Sequence, residues 1–206
     1  MRPVVLFVGT SLTAGLGVDQ ESAYPAVIQR RVDSLGLRWH VVNAGVSGET
    51  SAGALRRIAW LLRDSVGVFV LETGANDGLR GLDVDSTRAN IEAIIHQVRA
   101  RYPATPIILV GMEAPPNMGA VFTTRFHSLF PEVARRDTLA LVPFLLTGVA
   151  GIDTLNQADG IHPTPRGHRI VAENVWRVLG PVLDERRAGA QPRSRADTRT
   201  PTAVKR

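Results

Sequence analysis

The pentapeptide Asp159-Gly160-Ile161-His162-Pro163 places an acid three residues before a histidine. A tight turn between them would fold the carboxylate back onto the imidazole, and Gly160 permits such a turn. Pro163 disfavours the α region for His162, which puts the histidine on a loop. Thr164 and Pro165 then read as the N-cap and first residue of a following helix. An imidazole oriented by an acid and free at its other nitrogen is two thirds of a general-base apparatus. The same hydrogen bond could equally do no more than anchor a loop, so the rest of the chain must supply what the histidine activates. Three Gly-rich stretches offer it. Gly9-Thr10-Ser11-Leu12 carries a hydroxyl, Ser47-Gly48-Glu49 a backbone N–H with no side chain in the way, and Gly74-Ala75-Asn76-Asp77 a side-chain amide. Singly, Thr10 or Ser11 reads as an N-cap, Gly48 as a turn residue and Asn76 as an Asx turn. Jointly, a hydroxyl, amide donors and an oriented histidine are the parts needed to attack an ester carbonyl and hold the oxyanion.

These stretches must be brought together by the elements around them. Residues 4–8 form a continuous apolar, β-branched run that reads as a strand buried on both faces. Further strands are expected at 39–42, 66–71, 106–110 and 139–142. Helical spacing marks 22–35, a helix capped by Thr50 or Ser51 and running to Leu62, and a long one capped by Asp85 or Ser86. It also marks 123–134, bent at Pro131, and 165–179, stopped by Gly180-Pro181. Strands alternating with helices predict right-handed βαβ units: an α/β fold with a parallel sheet covered on both faces. Sites in such sheets lie beyond the carboxyl ends of the strands, and the three Gly-rich stretches follow the first three strands.

Composition narrows the chemistry further. The 206 residues include no cysteine, which excludes disulfides, thiolate nucleophiles and zinc-thiolate sites. The five histidines (40, 96, 127, 162, 168) lack the spacing of a zincin, so no catalytic metal and no cofactor are expected. The net charge of +5 is uneven. Residues 186–206 hold seven of the 24 basic residues and one of the 19 acids, whereas residues 1–185 carry 17 basic and 18 acidic groups. The reading is therefore a folded domain over 1–185 and a basic, disordered tail over 186–206. Seven basic groups spread along a tail without aromatics give little reason to expect a nucleic-acid partner. No apolar run is long enough to span a membrane, and the first apolar run lacks a small-residue cleavage site. As written, the chain is expected in the cytoplasm, or in the periplasm or outside the cell if a leader has been removed.

The blocks Gly9-Thr10-Ser11-Leu12, Gly48, Gly74-Ala75-Asn76-Asp77 and Asp159-Gly160-Ile161-His162 resemble, in order, the four blocks of the SGNH (GDSL-like) hydrolase superfamily. The strings Asn76-Asp77-Gly78-Leu79-Arg80-Gly81, Pro115-Pro116-Asn117-Met118-Gly119 and Asp159-Gly160-Ile161-His162-Pro163 look like its bacterial acyl-CoA thioesterase I, lysophospholipase and arylesterase branch. The resemblance covers roughly residues 3–183. It implies a flavodoxin-like three-layer α/β/α sandwich, with a five-stranded parallel sheet in the order 2-1-3-4-5. It implies Ser11 as nucleophile, His162 as base and then acid, and Asp159 as the residue that orients the imidazole. The backbone N–H groups of Ser11 and Gly48 and the amide of Asn76 would form the oxyanion hole. Met112, Pro116, Asn117 and Met118, after the fourth strand, would line an acyl pocket for short- to medium-chain esters or thioesters. One position departs from the family motif: Thr10 stands where an aspartate is usual, removing a charge beside the nucleophile.

Other readings fit less of the chain. Neither GxGxxG nor GxxxxGK[ST] is present, which disfavours a nucleotide module. Residues 3–18 contain no acid, which disfavours a receiver-type signalling domain. A carbohydrate O-deacetylase on the same triad, and a non-catalytic flavodoxin-like binding module, remain the alternatives.

Overall fold

Residues 4–8 alternate no polar group with their Val, Leu and Phe side chains, and they form β1 (Val4–Gly9), buried from Val5 onward. The same logic gives β3 (Val68–Glu72) and β4 (Ile107–Val110), both buried throughout. β2 (His40–Gly45) and β5 (Ala140–Val142) are less buried and form the edges. The computed structural model describes residues 2–190, with side chains through Arg186. Its sheet is parallel, in the order β2-β1-β3-β4-β5, which is the order the resemblance implies. The register sets Gly9 opposite Gly45 and Val8 opposite Leu71, so the first three strands end at one level.

Helices cover both faces. α2 (Tyr24–Ser34) packs on α7 (Pro165–Ala190) on one side. α3 (Ser51–Leu61), α5 (Val84–Arg101) and α6 (Ala120–Arg136) lie side by side on the other, as right-handed crossovers require. Two short helices follow strands directly: α1 (Ser11–Ala14) after β1 and α4 (Ala75–Leu79) after β3. The core beneath α4 is aromatic. Phe126 and Phe130 meet edge to face at 5.5 Å, both fully buried. A Cβ on Gly78 would lie 2.9 Å from the Phe126 ring, so the α4 turn rests directly on that pair. Burying each phenyl stabilises by about 1.5–3 kcal/mol, which fixes the turn that carries Asn76.

Three expectations about element ends are corrected. The cap of α5 is Asp83, not Asp85 or Ser86; its carboxylate accepts the Ser86 N–H and Ser86 hydroxyl, both at 2.8 Å. α6 starts at Ala120 and passes through Pro131 to Arg136. α7 does not stop at Gly180-Pro181 but continues to Ala190, beyond the boundary drawn at residue 185. Pro181 costs that helix a hydrogen bond. Val175, Leu179 and Leu183 nevertheless share a face at spacings of four and are fully buried, so packing overrides the local stop signal. Thr164 caps α7 as expected, accepting the Gly167 N–H at 3.3 Å. The part of the proposed tail after Ala190 lies outside the described residues. Among the described residues, no helix is long and apolar enough to cross a membrane, and no group of three His, Cys, Asp or Glu side chains could hold a metal ion.

Candidate active site

The loop before α7 is built by its own acid. Asp159 Oδ1 accepts the backbone N–H groups of Ile161 at 2.9 Å and His162 at 3.0 Å, and Gly160 takes the positive φ of 70° that closes the turn. The other oxygen, Oδ2, lies 2.6 Å from His162 Nδ1. The His162 backbone bond, the imidazole bond and the Ile161 bond pull the Asp159 carboxyl down to about 2. Asp159 is therefore ionised at neutral pH and can only accept, so Nδ1 carries the hydrogen. That tautomer makes Nε2 an acceptor. Ser11 Oγ lies 2.8 Å from Nε2 and donates to it. The relay Ser11–His162–Asp159 is thus continuous, although Ser11 and His162 are 151 residues apart in sequence. Ser11 is 9% exposed, and the His162 side chain 15%. The Asp159 side chain, at the far end of the relay, is 46% exposed.

Ser11 opens α1, immediately past β1. Gly48 follows β2, and Asn76 lies in α4, past β3. All three therefore lie past the common level at which these strands end. The Gly48-Glu49 turn is held from two directions. Arg80 donates to the Gly48 carbonyl at 3.0 Å. Arg57 forms a two-pronged ion pair with Glu49 at 2.7 and 2.6 Å and also donates to the Ala44 carbonyl at 2.7 Å. The Glu49 carbonyl in turn accepts from Asn76 Nδ2 at 3.0 Å, which fixes the amide plane. Buried Asp77 ties α4 to the start of α3 by accepting the Ser51 N–H at 2.9 Å and the Ser51 hydroxyl.

Beside the relay is a cavity of about 300 Å³. Leu12, Gly160 and Ile161, neighbours in sequence of Ser11 and His162, form part of its wall. Leu79, Met112, Pro116, Phe144 and Leu146 make much of the rest apolar. Of the four residues expected here, Met112 and Pro116 line the cavity, while Asn117 and Met118 do not. The reason is local: Pro116–Met118 is one turn of 3₁₀ helix, and the end of Met118 packs over Gly81 instead. A larger groove of about 740 Å³ lies between α2 and β2, and none of the relay residues lines it.

Sequence reasoning passed over Glu72, Glu49, Arg57, Asp77 and Arg80. Only Glu72 carried a legible signal, as a lone acid ending an otherwise apolar strand. His168, by contrast, is a buried packing residue. Nδ1 accepts the Tyr24 N–H at 3.3 Å, and the ring stacks on Tyr24. Burial, and then the charge of nearby His162, lowers its pKa from 6.5 to about 4. The folded state thus binds this proton less well than the unfolded chain. Its contribution to stability is complete above pH 6.5 and is lost as pH falls towards about 4. In His168→Gln, turnover should stay within about three-fold of wild type. Urea melts should show a shallower loss of stability between those pH values; an unchanged slope would remove His168 as a cause.

A parallel α/β sheet with a Ser-His-Asp relay past its carboxyl edge has the layout of a serine-type hydrolase. The chain belongs to the GDSL-like lipase/acylhydrolase family, whose model matches residues 7–170. It is 39% identical over 180 residues to esterase TesA of Pseudomonas aeruginosa, covering 87% of this chain and 89% of the relative. It is 32% identical over 181 residues to thioesterase 1/protease 1/lysophospholipase L1 of Escherichia coli, covering 87% and 85%. Among solved structures, a psychrotrophic esterase, EstA from Pseudoalteromonas, inhibited by monoethylphosphonate, superposes with a TM-score of 0.83 at 30% identity. That match covers 88% of this chain and 98% of the esterase.

Proposed function

We propose that the protein is a serine esterase that cleaves short- to medium-chain carboxylic esters, and acyl thioesters, through an acyl-enzyme on Ser11. The observation that carries this reading is the continuous hydrogen-bonded relay from Ser11 through His162 to Asp159. Ser11 Oγ attacks the acyl carbonyl while its proton passes to His162 Nε2. Asp159 balances the imidazolium that results. The tetrahedral oxyanion takes hydrogen bonds from the backbone N–H groups of Ser11 and Gly48 and from Asn76. Asn76 has two amide hydrogens, one committed to Glu49 and the other left for the oxyanion. His162 then protonates the departing alcohol or thiol. A water, activated by the same imidazole, releases the acid and restores Ser11.

The oxyanion exists only in the transition state, so Asn76→Ala should lower kcat by about 10²–10³ with KM little changed. Initial rates on an aryl acetate check this; a rise in KM alone would move Asn76 to substrate binding.

The apolar cavity beside Ser11 takes the acyl chain in this reading. Its volume sits at the small end of the roughly 300–1,000 Å³ of ligand pockets, which favours short and medium chains. A panel of p-nitrophenyl esters of increasing acyl length, acyl-CoA thioesters and acetylated sugars tests the assignment. A sugar acetate as best substrate would sink it while sparing the triad. Ala114→Phe should fill part of the cavity and reduce turnover of medium-chain esters about tenfold or more, leaving acetate near wild type. Met118→Ala, outside the cavity, should leave the preference unchanged.

A further inference from the structure

Glu72 ends β3 and has no exposed surface. Its carboxylate accepts the Thr10 backbone N–H at 2.7 Å, the Thr10 hydroxyl at 3.0 Å and the Thr13 hydroxyl at 2.9 Å. Thr13 has one hydroxyl hydrogen, and Glu72 takes it. The 2.7 Å contact between Thr13 and Tyr24 must therefore be a bond from the Tyr24 hydroxyl to Thr13. The Thr10 N–H and the two threonine hydroxyls thus serve the carboxylate, and the Tyr24 hydroxyl backs Thr13. Burial pushes the Glu72 carboxyl up, and the bonds from Thr10 and Thr13 oppose it. The Thr10 N–H, which can only donate, faces Oε2, and the two threonine hydroxyls can complete the set of donors that an ionised Glu72 needs. The space is built for it. A Cβ on Gly9 would lie 2.7 Å from Glu72 Oε2 and 2.0 Å from Thr13 Oγ1.

Thr10, between β1 and α1, and Thr13, within α1, stand on either side of Ser11 in the chain. The two residues that Glu72 grips are thus those that set where Ser11 stands. Position 10 carries no charge of its own, yet a carboxylate from the neighbouring strand sits beneath it. We propose that Glu72 is a positioning residue for the nucleophile: its carboxylate pins Thr10 and Thr13 and so keeps Ser11 Oγ on His162 Nε2. It touches neither substrate nor the reacting atoms. This rests on Ser11 being the nucleophile, as proposed above.

Glu72→Gln keeps the shape but turns an amide NH₂ towards the hydrogens of Thr10 and Thr13. Displacing a reacting group by about 1 Å costs on the order of 10²-fold. In Glu72→Gln, kcat on p-nitrophenyl acetate should fall about 10- to 100-fold, with KM within about two-fold, because Glu72 is not part of the acyl cavity wall. The rate at which a fluorophosphonate labels Ser11 should fall in parallel. Glu72→Asp, which keeps the charge on a shorter stem, should recover part of both rates. Far-UV circular dichroism and thermal melts establish that each variant is folded at the assay temperature. If Glu72→Gln does not fold, Thr10→Val and Thr13→Val each remove one hydroxyl donor and should slow labelling about 3- to 10-fold. Labelling and kcat at wild-type levels in folded Glu72→Gln would overturn the proposal. So would wild-type labelling in both threonine variants, or a loss of rate that only tracks the fraction unfolded. If wild-type protein is not labelled at Ser11 at all, it is the catalytic reading that fails.

Discussion

Replacing Ser11 with alanine should lower turnover by about 10⁶, the scale of nucleophile loss in serine hydrolases. The expectation depends on there being no substitute hydroxyl. Ser51 also follows a strand of the sheet, but it is fully buried and donates to Asp77. Ser47 is exposed but makes no hydrogen bond to His162; the imidazole Nε2 is bonded to Ser11. The fold should survive, because Ser11 lies in a four-residue helix past the end of β1 and its hydroxyl bonds only to His162. Initial rates on p-nitrophenyl butyrate, with circular dichroism as the folding control, make the measurement. Residual activity above about 1% of wild type would mean that another group attacks the ester.

Asp159→Asn should reduce kcat by about 10⁴, the usual consequence of reversing the tautomer in such a relay. The asparagine oxygen can still accept from the Ile161 and His162 N–H groups, so the loop should keep its shape. Its NH₂ group, however, would face His162 Nδ1, which must then become the acceptor. The ring hydrogen moves to Nε2, and Ser11 loses the lone pair that should receive its proton. Because the Asp159 carboxyl is held at about 2, wild-type enzyme does not reach this state through its aspartate at any ordinary assay pH. Rates on the same ester decide the matter. A loss below about tenfold would show that Asp159 anchors the loop rather than directing the imidazole.

The strands and the long helices were legible because their side chains repeat at periods that only one secondary structure can bury. The uninterrupted run of β1 and the 3–4 spacing of Ile91, Ile94, Ile95 and Val98 in α5 are examples. Element ends were less legible. The cap of α5 was placed on Asp85 or Ser86, when Asp83 holds it, because several acids and serines there would satisfy the same orphan N–H groups. The end of α7 was missed because Gly180-Pro181 is a local stop signal. Burial of Leu179 and Leu183 outweighs it only once the rest of the fold is present.

By itself, the sequence determined the chemistry on offer: an acid and a histidine in one turn, a serine after the first strand, and amide donors after the next two. These are local facts, fixed by glycine, proline and side-chain type over a few residues. Tertiary structure decided which atoms meet. The 2.8 Å contact between Ser11 and His162 is a product of strand order and register, and no short-range pattern encodes it. The cavity wall was decided in the same way, keeping Met112 and Pro116 and turning Met118 away onto Gly81. So was the role of Glu72. In sequence it is one acid after an apolar run. In the fold it is a buried acceptor facing three donors from another strand's turn, a pairing that arises only when β3 lies beside β1.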